Sequence, residues 1–322
     1  MILMDNVSKE FHEKNGVAVS AIHSVSLHIP KGMVVGVIGA SGSGKTTFMK
    51  LTAGLLRPSS GRVRVRGTDP VGERKRLRGQ INMLSAEYGN LDAERSLEEN
   101  LAMIPLLYSL EKMVFDQIQA DVLARFGLSE KKGSRIKELS LGFRRRAEAA
   151  LALLLPAKVT LFDEPCIGMD AEAKKVFTEL VQEEKERGRT ILVSSHDLGE
   201  ILQMSDRILL LDRGGILFYG EKERLYRNMA PENRLFLKFA GEFPDLQDLP
   251  YVRYEQDGNH MILTYNSNCV TAAELLQGIL QSGAFTEVSV SKPELSDVIT
   301  GISSENERME GKNEFYSGRR GL

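Results

Sequence analysis

The sequence predicts an α/β fold, in which a mostly parallel sheet is covered by helices on both faces, followed by a small α+β domain. Two short apolar runs, residues 33–38 and 159–162, are typical of strands that are buried on both faces. Helical stretches follow these strands in alternation, which is the pattern of a parallel sheet. Near residue 230 the alternation restarts, and this restart indicates a second domain.

Local signals define the elements of the first domain. A strand over 25–29 ends at the Pro30-Lys31-Gly32 turn, and a helix begins near Thr46. The region from about 94 to 138 is helical, and one predicted helix face carries Phe115, Ile118, Val122 and Phe126. We further expect a strand over 62–66, helices over 144–155 and 171–187, a strand over 190–193 and a hairpin of strands over 207–212 and 216–219.

The second domain contains helices over 232–240, 271–281 and 295–301, and strands over 251–255, 260–265 and 287–290. The predicted domain limits are therefore 1–228, with an inserted helical subdomain at about 88–145, and 229–302. Residues 303–322 are polar and contain glycine, so we expect a disordered tail there.

Composition excludes several classes of protein. With 42% hydrophobic and 27% charged residues and a net charge of -2, the chain is typical of a globular protein, and we expect no nucleic-acid partner. Two distant cysteines, Cys166 and Cys269, give neither a disulfide framework nor metal-ligand spacing, which suits a reducing compartment. The longest apolar run, 149–155, is far shorter than the roughly 20 residues of a membrane span. If the protein serves a membrane process, we therefore expect another chain to supply the membrane spans. The N-terminus has no positive region ahead of an apolar stretch, so we expect no secretory signal.

A glycine-rich loop between the strand at 33–38 and the following helix carries the strongest chemical signal. The loop residues are Gly39, Ala40, Ser41, Gly42, Ser43, Gly44, Lys45 and Thr46, with Thr47 next in the helix. This pattern predicts a phosphate-binding loop, because its backbone N–H groups and the helix N-terminus can surround phosphate oxygens. Lys45 would reach the outer phosphates of ATP, and the Thr46 hydroxyl would ligate Mg²⁺. A glycine turn with an incidental lysine is the alternative, which the flanking strand and helix disfavour.

Two carboxylates end the strand at 159–162. Asp163 and Glu164 lie at the carboxyl end of that strand, where open α/β sheets bind ligands. We predict that Asp163 holds Mg²⁺ and that Glu164 is the general base for the attacking water. On its own the pair could be a solvated strand end, but the phosphate loop makes a catalytic pair the better interpretation.

Further segments resemble those of ATP-binding-cassette (ABC) proteins. Leu139-Ser140-Leu141-Gly142-Phe143-Arg144 is similar to the family's signature motif, Ile167-Gly168-Met169-Asp170 to its D-loop, Ser194-Ser195-His196-Asp197 to its switch histidine, and Phe11 to the aromatic residue that stacks on adenine. With the phosphate loop and the two carboxylates, six motifs occur in the family's order and span about residues 2–228.

The resemblance implies a site shared between two nucleotide-binding domains that close head to tail, as a homodimer or a heterodimer. Ser140 and Gly142 would then contact the γ-phosphate of the partner's ATP. His196 would contact the γ-phosphate and the attacking water within its own chain. Asp170 and Phe11 would complete the set of nucleotide-binding residues.

Some positions depart from the family pattern. Glu87 occupies the usual place of a glutamine. We expect its carboxylate to ligate Mg²⁺, and the alternative is that it receives the signal from a membrane partner. Leu141 and Phe143 replace the commoner glycine and glutamine of the signature, and Cys166 replaces a Thr or Ser. Some apolar residues between Leu101 and Tyr108 could receive a helix of a membrane partner.

The resemblance implies an ATP-binding and ATP-hydrolysing subunit of a membrane transporter, bound to the cytoplasmic face of the membrane through a transmembrane permease. The Leu-Ser-Leu-Gly signature, Glu87 and the C-terminal domain most resemble exporters of the ABC-2 type. The alternative is a soluble ABC ATPase that acts on ribosomes or nucleic acid, but such proteins usually have tandem cassettes or coiled-coil insertions. A cassette that no longer hydrolyses ATP is disfavoured, because Glu164 and His196 are both present.

Overall fold

The computed structural model describes residues 1–12, 18–85, 89–228, 232–239, 252–266, 269–280 and 285–291. The chain divides into two compact units, residues 1–222 and 223–322. The domain limits that the sequence suggested, including those of the helical subdomain, stay predictions. The predicted helix over 295–301 and the predicted disordered tail lie outside the described residues.

The first unit begins with strands of two different sheets. In chain order its elements are β1 (Ile2–His12), β2 (Ala18–Ile29), β3 (Val34–Ile38), α1 (Lys45–Thr52), β4 (Ser60–Val65), α2 (Arg74–Leu77) and β5 (Ile81–Leu84). Within the described residues, β1, β2 and β4 form an antiparallel sheet in the order β2-β1-β4. Its apolar side chains, such as Ile2, Ile22 and Val65, are buried in a common core with α1.

A helical region follows β5. It contains α3 (Leu97–Tyr108), α4 (Lys112–Arg125), two short 3-10 turns (Ser129–Lys131 and Ile136–Glu138) and α5 (Leu141–Leu154). Ser96 begins α3 through a capping box with Glu99, which satisfies free N–H groups of the first turn. On α4 the sequence predicted one apolar face, and Phe115 and Val122 are indeed buried. Ile118 is 46% exposed, because a helix turns 100° per residue and places this position at the margin of that face.

The central sheet is completed after α5. The elements that follow α5 in the first unit are β6 (Val159–Asp163), α6 (Ala171–Glu186), β7 (Thr190–Ser194), α7 (Leu198–Met204), β8 (Arg207–Asp212) and β9 (Gly215–Glu221). The helix α8 (Lys222–Asn228) begins at the last residue of the first unit. The described strands pair in the order β5-β6-β7-β3-β8-β9, in which β5 to β8 run parallel and β9 returns antiparallel to β8 as the predicted hairpin. Every residue of β3, β6 and β7 is buried. The carboxyl ends of these three neighbouring strands therefore meet at one edge of the sheet.

The second unit contains β10 (Glu232–Phe239), β11 (Val252–Asp257), β12 (His260–Asn266), α9 (Ala272–Leu280) and β13 (Phe285–Ser291), with the strands in the antiparallel order β11-β12-β10-β13. The helix predicted over 232–240 is wrong, because this segment is the strand β10. Leu235, Leu237 and Phe239 alternate along it and are buried with Leu275 and Ile279 of α9. The short apolar run fits both the helical period and the alternation of a strand, and pairing with β12 and β13 selects the strand.

Across the described residues, no helix is both long and apolar enough to cross a membrane.

Candidate functional site

The phosphate loop leaves the buried end of β3 and enters α1. Gly44 precedes the helix with φ 102°, and a Cβ there would lie 2.6 Å from the Ala21 carbonyl oxygen. A Cβ on Gly39 would lie 2.3 Å from the Leu211 carbonyl oxygen. Gly42, with φ 80°, faces open space instead. Glycine is thus required at two positions by close backbone packing, whereas the loop stays open around Gly42.

Lys45 lies at the first position of α1 and is buried to 9% exposure. Its Nζ donates to the carbonyl oxygens of Gly39 at 2.8 Å and Ala40 at 3.1 Å, and it lies 3.9 Å from Oε1 of Glu164. Burial lowers the pKa of Lys45, and the carboxylates of Glu164 and Asp163 oppose this shift. The loop therefore holds a cation that faces the two acids at the end of β6.

Asp163 is the most buried acid of the site, with 1% exposure. Its Oδ2 accepts a hydrogen bond from Thr46 Oγ1 at 2.8 Å, and its Oδ1 accepts one from Ser194 Oγ at 2.6 Å. The parallel pairing of β6 with β7 sets Asp163 directly beside Ser194. The structure thus brings together Thr46 and Asp163, which the sequence predicted as metal ligands.

Ser194 is a functional residue that the sequence reasoning left without a role. It accepts a hydrogen bond from the Glu164 backbone N–H at 2.9 Å while its hydroxyl donates to Asp163. The signal that could have found it is its position as the last residue of β7, next to the end of β6 in the sheet. Ser194 therefore contacts both the Asp163 carboxylate and the Glu164 backbone.

Glu164 and His196 are adjacent. Glu164 has a positive φ of 52°, which turns its side chain away from the path of β6. Its Oε2 is 3.0 Å from Nδ1 of His196, whose side chain is 68% exposed, whereas the Glu164 side chain is 15% exposed. Hydrogen bonds thus join Thr46, Asp163 and Ser194 to the Glu164 backbone N–H, and the Glu164 side chain in turn contacts His196. We call these five residues, together with the loop 39–45, the phosphate half-site.

The signature residues form a separate group. Ser140 is exposed and caps α5, accepting a hydrogen bond from the Phe143 N–H at 3.4 Å. A Cβ on Gly142 would lie 2.9 Å from the Gly168 carbonyl oxygen, so this segment packs against the residues before Asp170. Leu141 is 58% exposed. We call Ser140, Leu141 and Gly142 the signature half-site.

Asp170 connects the signature helix with the end of β6. It caps α6 by accepting a hydrogen bond from the Ala173 N–H at 2.9 Å, and its other carboxylate oxygen pairs with Arg146 of α5 at 2.5 Å. Among the described residues, no hydrogen bond or ion pair joins Ser140 or Gly142 to the phosphate loop of the same chain.

Two further residues were predicted for the site, Phe11 and Glu87. Phe11 is 40% exposed on β1, opposite Val19, with Lys9 Nζ 5.1 Å from the ring centre. An exposed aromatic ring is available for stacking on a base. Glu87 lies outside the described residues, so its predicted role as a metal ligand stays a prediction.

The family model for ABC transporters matches residues 22–167. The ABC transporter ATP-binding protein NatA of Bacillus subtilis is 34% identical over 233 residues, which cover 72% of this chain and 94% of that protein. The chain belongs to the ABC transporter family. As an ABC transporter ATP-binding subunit, it binds ATP and is an ATPase, and both the predicted family and the predicted fold class are confirmed.

Other ABC transporter relatives align over almost the whole chain. The daunorubicin resistance ATP-binding protein DrrA3 of Streptomyces coeruleorubidus is 26% identical, covering 96% of this chain and 97% of that protein. The methionine import ATP-binding protein MetN of Geobacillus kaustophilus is 27% identical, covering 97% and 87%. A solved ATP-binding subunit of an ABC transporter superimposes with a TM-score of 0.64 at 25% identity, covering 70% of this chain and 92% of that one.

Proposed function

We propose that this chain closes on a second nucleotide-binding domain, cleaves Mg²⁺-ATP between them, and so drives a permease of the ABC-2 exporter type from the cytoplasmic face of the membrane. The observation that carries the proposal is the group of hydrogen bonds that joins Thr46, Asp163 and Ser194 to the Glu164 backbone, with His196 against the Glu164 carboxylate; it brings together groups for metal binding and for activation of water.

ATP would bind across the phosphate loop. The backbone N–H groups of residues 39–47 and the N-terminus of α1 favour phosphate oxygens. Lys45 Nζ, now held by two loop carbonyl oxygens, would exchange them for the outer phosphates. Phe11 would stack on the adenine ring. Because Gly42 borders open space, phosphate oxygens have room to approach the loop.

The chemistry of the donors fits Mg²⁺. Thr46 Oγ1 and Asp163 Oδ2 are hard oxygen ligands only 2.8 Å apart, at the point where the phosphates would end. Mg²⁺ in nucleotide sites uses one or two carboxylates together with phosphate oxygens and water, so it does not require a dense protein cage. This agrees with the finding that the described residues contain no cluster of three or more metal-ligating side chains. Bound there, Mg²⁺ would neutralise charge that develops on the phosphates.

Glu164 would act as the general base. Its carboxylate is largely buried beside Lys45 and is oriented by the 3.0 Å contact with His196. A water between Glu164 and the γ-phosphate would give up a proton to the Glu164 carboxylate as its oxygen attacks the γ-phosphorus, while the bond from that phosphorus to the β–γ bridging oxygen breaks and ADP leaves. His196 is exposed on the outer side of this contact, where it can meet the γ-phosphate of the same ATP.

The signature half-site would act on the partner's ATP. Ser140 and Gly142 lie at the exposed N-terminus of α5, whose N–H groups and positive end suit a phosphate. Because no contact joins them to their own phosphate loop in the described part of the chain, a second domain is the natural source of their ligand. This supports two composite sites per dimer.

The exporter assignment rests on the signature sequence, with support from the relatives. The Leu-Ser-Leu-Gly signature and the C-terminal unit resemble exporters, and DrrA3 aligns over 96% of the chain. MetN aligns as extensively, so an importer is the second candidate. Leu106 and Leu107 are 77% and 65% exposed at the end of α3, and such an apolar surface suits a permease helix.

Inside-out vesicles that contain the chain and its co-purified permease would separate the two directions. ATP-driven accumulation of cargo inside these vesicles supports the exporter, since their cytoplasmic face is outside. ATP-driven release of preloaded cargo would instead identify an importer. Co-purification with ribosomes or DNA, and with no polytopic protein, would overturn both.

Replacement of the base tests the hydrolytic role. Glu164→Gln keeps the size and the hydrogen-bonding capacity of the side chain but cannot accept a proton, so we expect turnover to fall by about 10²–10⁴-fold. ATP affinity, measured with a fluorescent nucleotide, should persist. Glu172→Gln, an acid in the exposed first turn of α6, is the matched control. Unchanged hydrolysis in Glu164→Gln would remove Glu164 from its assigned role.

A further inference from the structure

A basic segment lies outside the nucleotide site. Between residues 57 and 78 the chain has eight basic and two acidic residues, in a protein whose net charge is -2. The eight basic residues are Arg57, Arg62, Arg64, Arg66, Arg74, Lys75, Arg76 and Arg78, and all of them are exposed. We call these eight side chains the basic surface.

The strand β4 presents part of the basic surface as a regular row. Val63 and Val65 are buried, and the alternating Arg62, Arg64 and Arg66 are exposed on the opposite face. β4 lies at the edge of its three-stranded sheet, so the row is not covered by another described strand. No described acidic side chain lies within ion-pair distance of Arg62 or Arg64. Their charges are therefore available to an external anion.

A cavity of about 370 Å³ lies beside this row. Arg57, Arg62 and Arg64 are among its lining residues, with Asp69 as its acid. The Asp69 carboxylate already accepts hydrogen bonds from the N–H groups of Val71 and Gly72, at 2.9 and 3.0 Å, which lower its pKa. The cavity therefore has three guanidinium groups and one carboxylate, which backbone N–H groups already bind, so its net charge is positive.

The basic surface continues beyond this cavity. A second cavity of about 720 Å³ shares Pro70 with the first, and its lining residues include Arg74, Lys75 and Arg78. It also includes Leu55, a leucine that is 52% exposed. Two acids moderate the charge: Glu73 pairs with Arg76 at 2.5 Å, and Asp5 lies opposite Arg62 in the sheet register. Of the remaining basic side chains, Arg57 and Arg64 line the first cavity, and Arg74, Lys75 and Arg78 line the second.

We propose that the basic surface binds the anionic headgroups of membrane phospholipids. Guanidinium groups pair with phosphate oxygens in a planar, bidentate geometry. The charges are spread over an edge strand and two neighbouring cavities, which exceeds what one small anion can contact. An exposed leucine among basic residues matches the interfacial pattern, in which apolar side chains enter the headgroup region beside Lys and Arg. This binding goes beyond the proposed function, because it requires neither ATP nor the permease.

Flotation of the full-length chain with vesicles tests the proposal. We expect the purified protein to float with vesicles of phosphatidylcholine and phosphatidylglycerol, and to stay at the bottom with phosphatidylcholine alone. Raising the salt from 0.1 to 1 M shortens the screening length from about 10 to about 3 Å, so it should release the protein. Inorganic phosphate at the same ionic strength as a chloride control should release no more than chloride does. Preferential release by phosphate would point to a free-anion site and overturn the lipid assignment.

The double variant Arg62→Gln with Arg64→Gln removes two exposed charges from the row without touching the core. Because each basic residue near an anionic membrane contributes about a factor of five, we expect partitioning to weaken by roughly 30-fold. Solution ATPase activity should be unchanged, since neither residue belongs to the nucleotide site. Lys158→Gln with Arg213→Gln is the matched control, because both side chains are exposed and lie outside the basic surface.

Equal loss of vesicle binding in the control pair would mean that overall charge, and not this surface, is responsible, and would overturn the proposal. Equal flotation with neutral and anionic vesicles would do the same. Binding to an acidic peptide, with none to anionic vesicles, would assign the surface to a protein partner and also contradict it. ATP hydrolysis in the same samples reports separately on the nucleotide site.

Discussion

The two halves of the nucleotide site differ in how far their side chains are buried and hydrogen-bonded within one chain. In the phosphate half-site, Asp163 is 1% exposed and both of its oxygens accept hydrogen bonds from residues of the same chain. In the signature half-site, Leu141 is 58% exposed, and Ser140 caps α5 through a long 3.4 Å contact. The first half is already positioned in the isolated chain, whereas the second presents groups to the outside.

This difference follows from the elements that carry the residues. The phosphate half-site lies at the ends of β3, β6 and β7, which are wholly buried and hydrogen-bonded in register. The signature half-site lies at the free N-terminus of one helix. A site on a buried sheet edge can be rigid on its own, while an exposed helix end becomes part of a site only when a ligand reaches it. The predictions below test this contrast, from the largest effect to the smallest.

The thiol of Cys166 tests the rigidity of the phosphate half-site. Burial, with a contribution from Glu200, raises the pKa of Cys166 to about 12. An ordinary thiol has a pKa of about 8.5, so native Cys166 should be alkylated more than about a thousandfold more slowly than in the unfolded chain. Mass spectrometry of iodoacetamide-treated protein measures this. Cys269 is exposed and is the internal control, and equal labelling of the two cysteines would contradict a rigid site.

A charge in the signature half-site should block hydrolysis but spare ATP binding by the single chain. Gly142→Asp places a Cβ 2.9 Å from the Gly168 carbonyl oxygen. In the proposed shared site, it would also bring a carboxylate near the partner's γ-phosphate. The loss of stabilising groups in a transition state costs about 10²–10³-fold in turnover. Gly133→Asp adds the same charge at an exposed glycine with free space around it, and should leave turnover intact. Normal hydrolysis in Gly142→Asp would show that this half-site has no part in catalysis.

Removal of the Ser194 hydroxyl tests the link between the two acids. Ser194→Ala deletes the hydrogen bond to Asp163 and the acceptor of the Glu164 N–H, so we expect Mg²⁺-dependent turnover to fall about 10–100-fold. The matched control is Ser205→Ala, whose buried hydroxyl has no hydrogen-bond partner among the described residues. Steady-state ATPase assays across a Mg²⁺ titration measure both, and equal behaviour of the two variants would contradict a positioning role.

The smallest effect concerns Phe143, which replaces a glutamine of the family pattern. Lys131 and Arg146 lie 5.5 and 5.1 Å from its ring centre. Phe143→Leu removes both cation–π contacts, so the free energy of unfolding should fall by about 1 kcal/mol. Phe143→Tyr retains an aromatic ring and should keep most of the stability. Urea denaturation compares them, and equal stability of the Leu variant and the native chain would show that the contacts contribute nothing.

Much of the fold and of the phosphate half-site could be predicted from the sequence. β3 and β6 are continuous apolar runs, which predict buried strands. β3 is followed by the loop glycines and β6 ends at Asp163, next to Glu164, so the same segments also indicate the site. β10 was predicted as a helix, because its apolar residues fit both periods and only its pairing with β12 and β13 decides between them. Ser194 had no assigned role, because its contacts depend on the register of β6 with β7.

The net charge of the whole chain does not reveal the basic surface. The net charge of -2 indicates no polyanionic partner, although the arginines of residues 57–78 are exposed together on β4 and around α2. The alternation of Arg62, Val63 and Arg64 was visible as a strand signal. That the arginines form a row of charges on an uncovered face could be recognised only once β4 was placed at the edge of its sheet.

The mass of Glu164→Gln in the presence of Mg²⁺-ATP tests the central claim most directly. With hydrolysis blocked, ATP should stay between the phosphate half-site of one chain and the signature half-site of another. Light scattering should then give about twice the chain mass of 35.8 kDa with ATP, and the single-chain mass without it. Adding Gly142→Asp to Glu164→Gln should restore the single-chain mass. A Glu164→Gln protein that binds ATP yet keeps the mass of one chain would contradict a site shared between two domains.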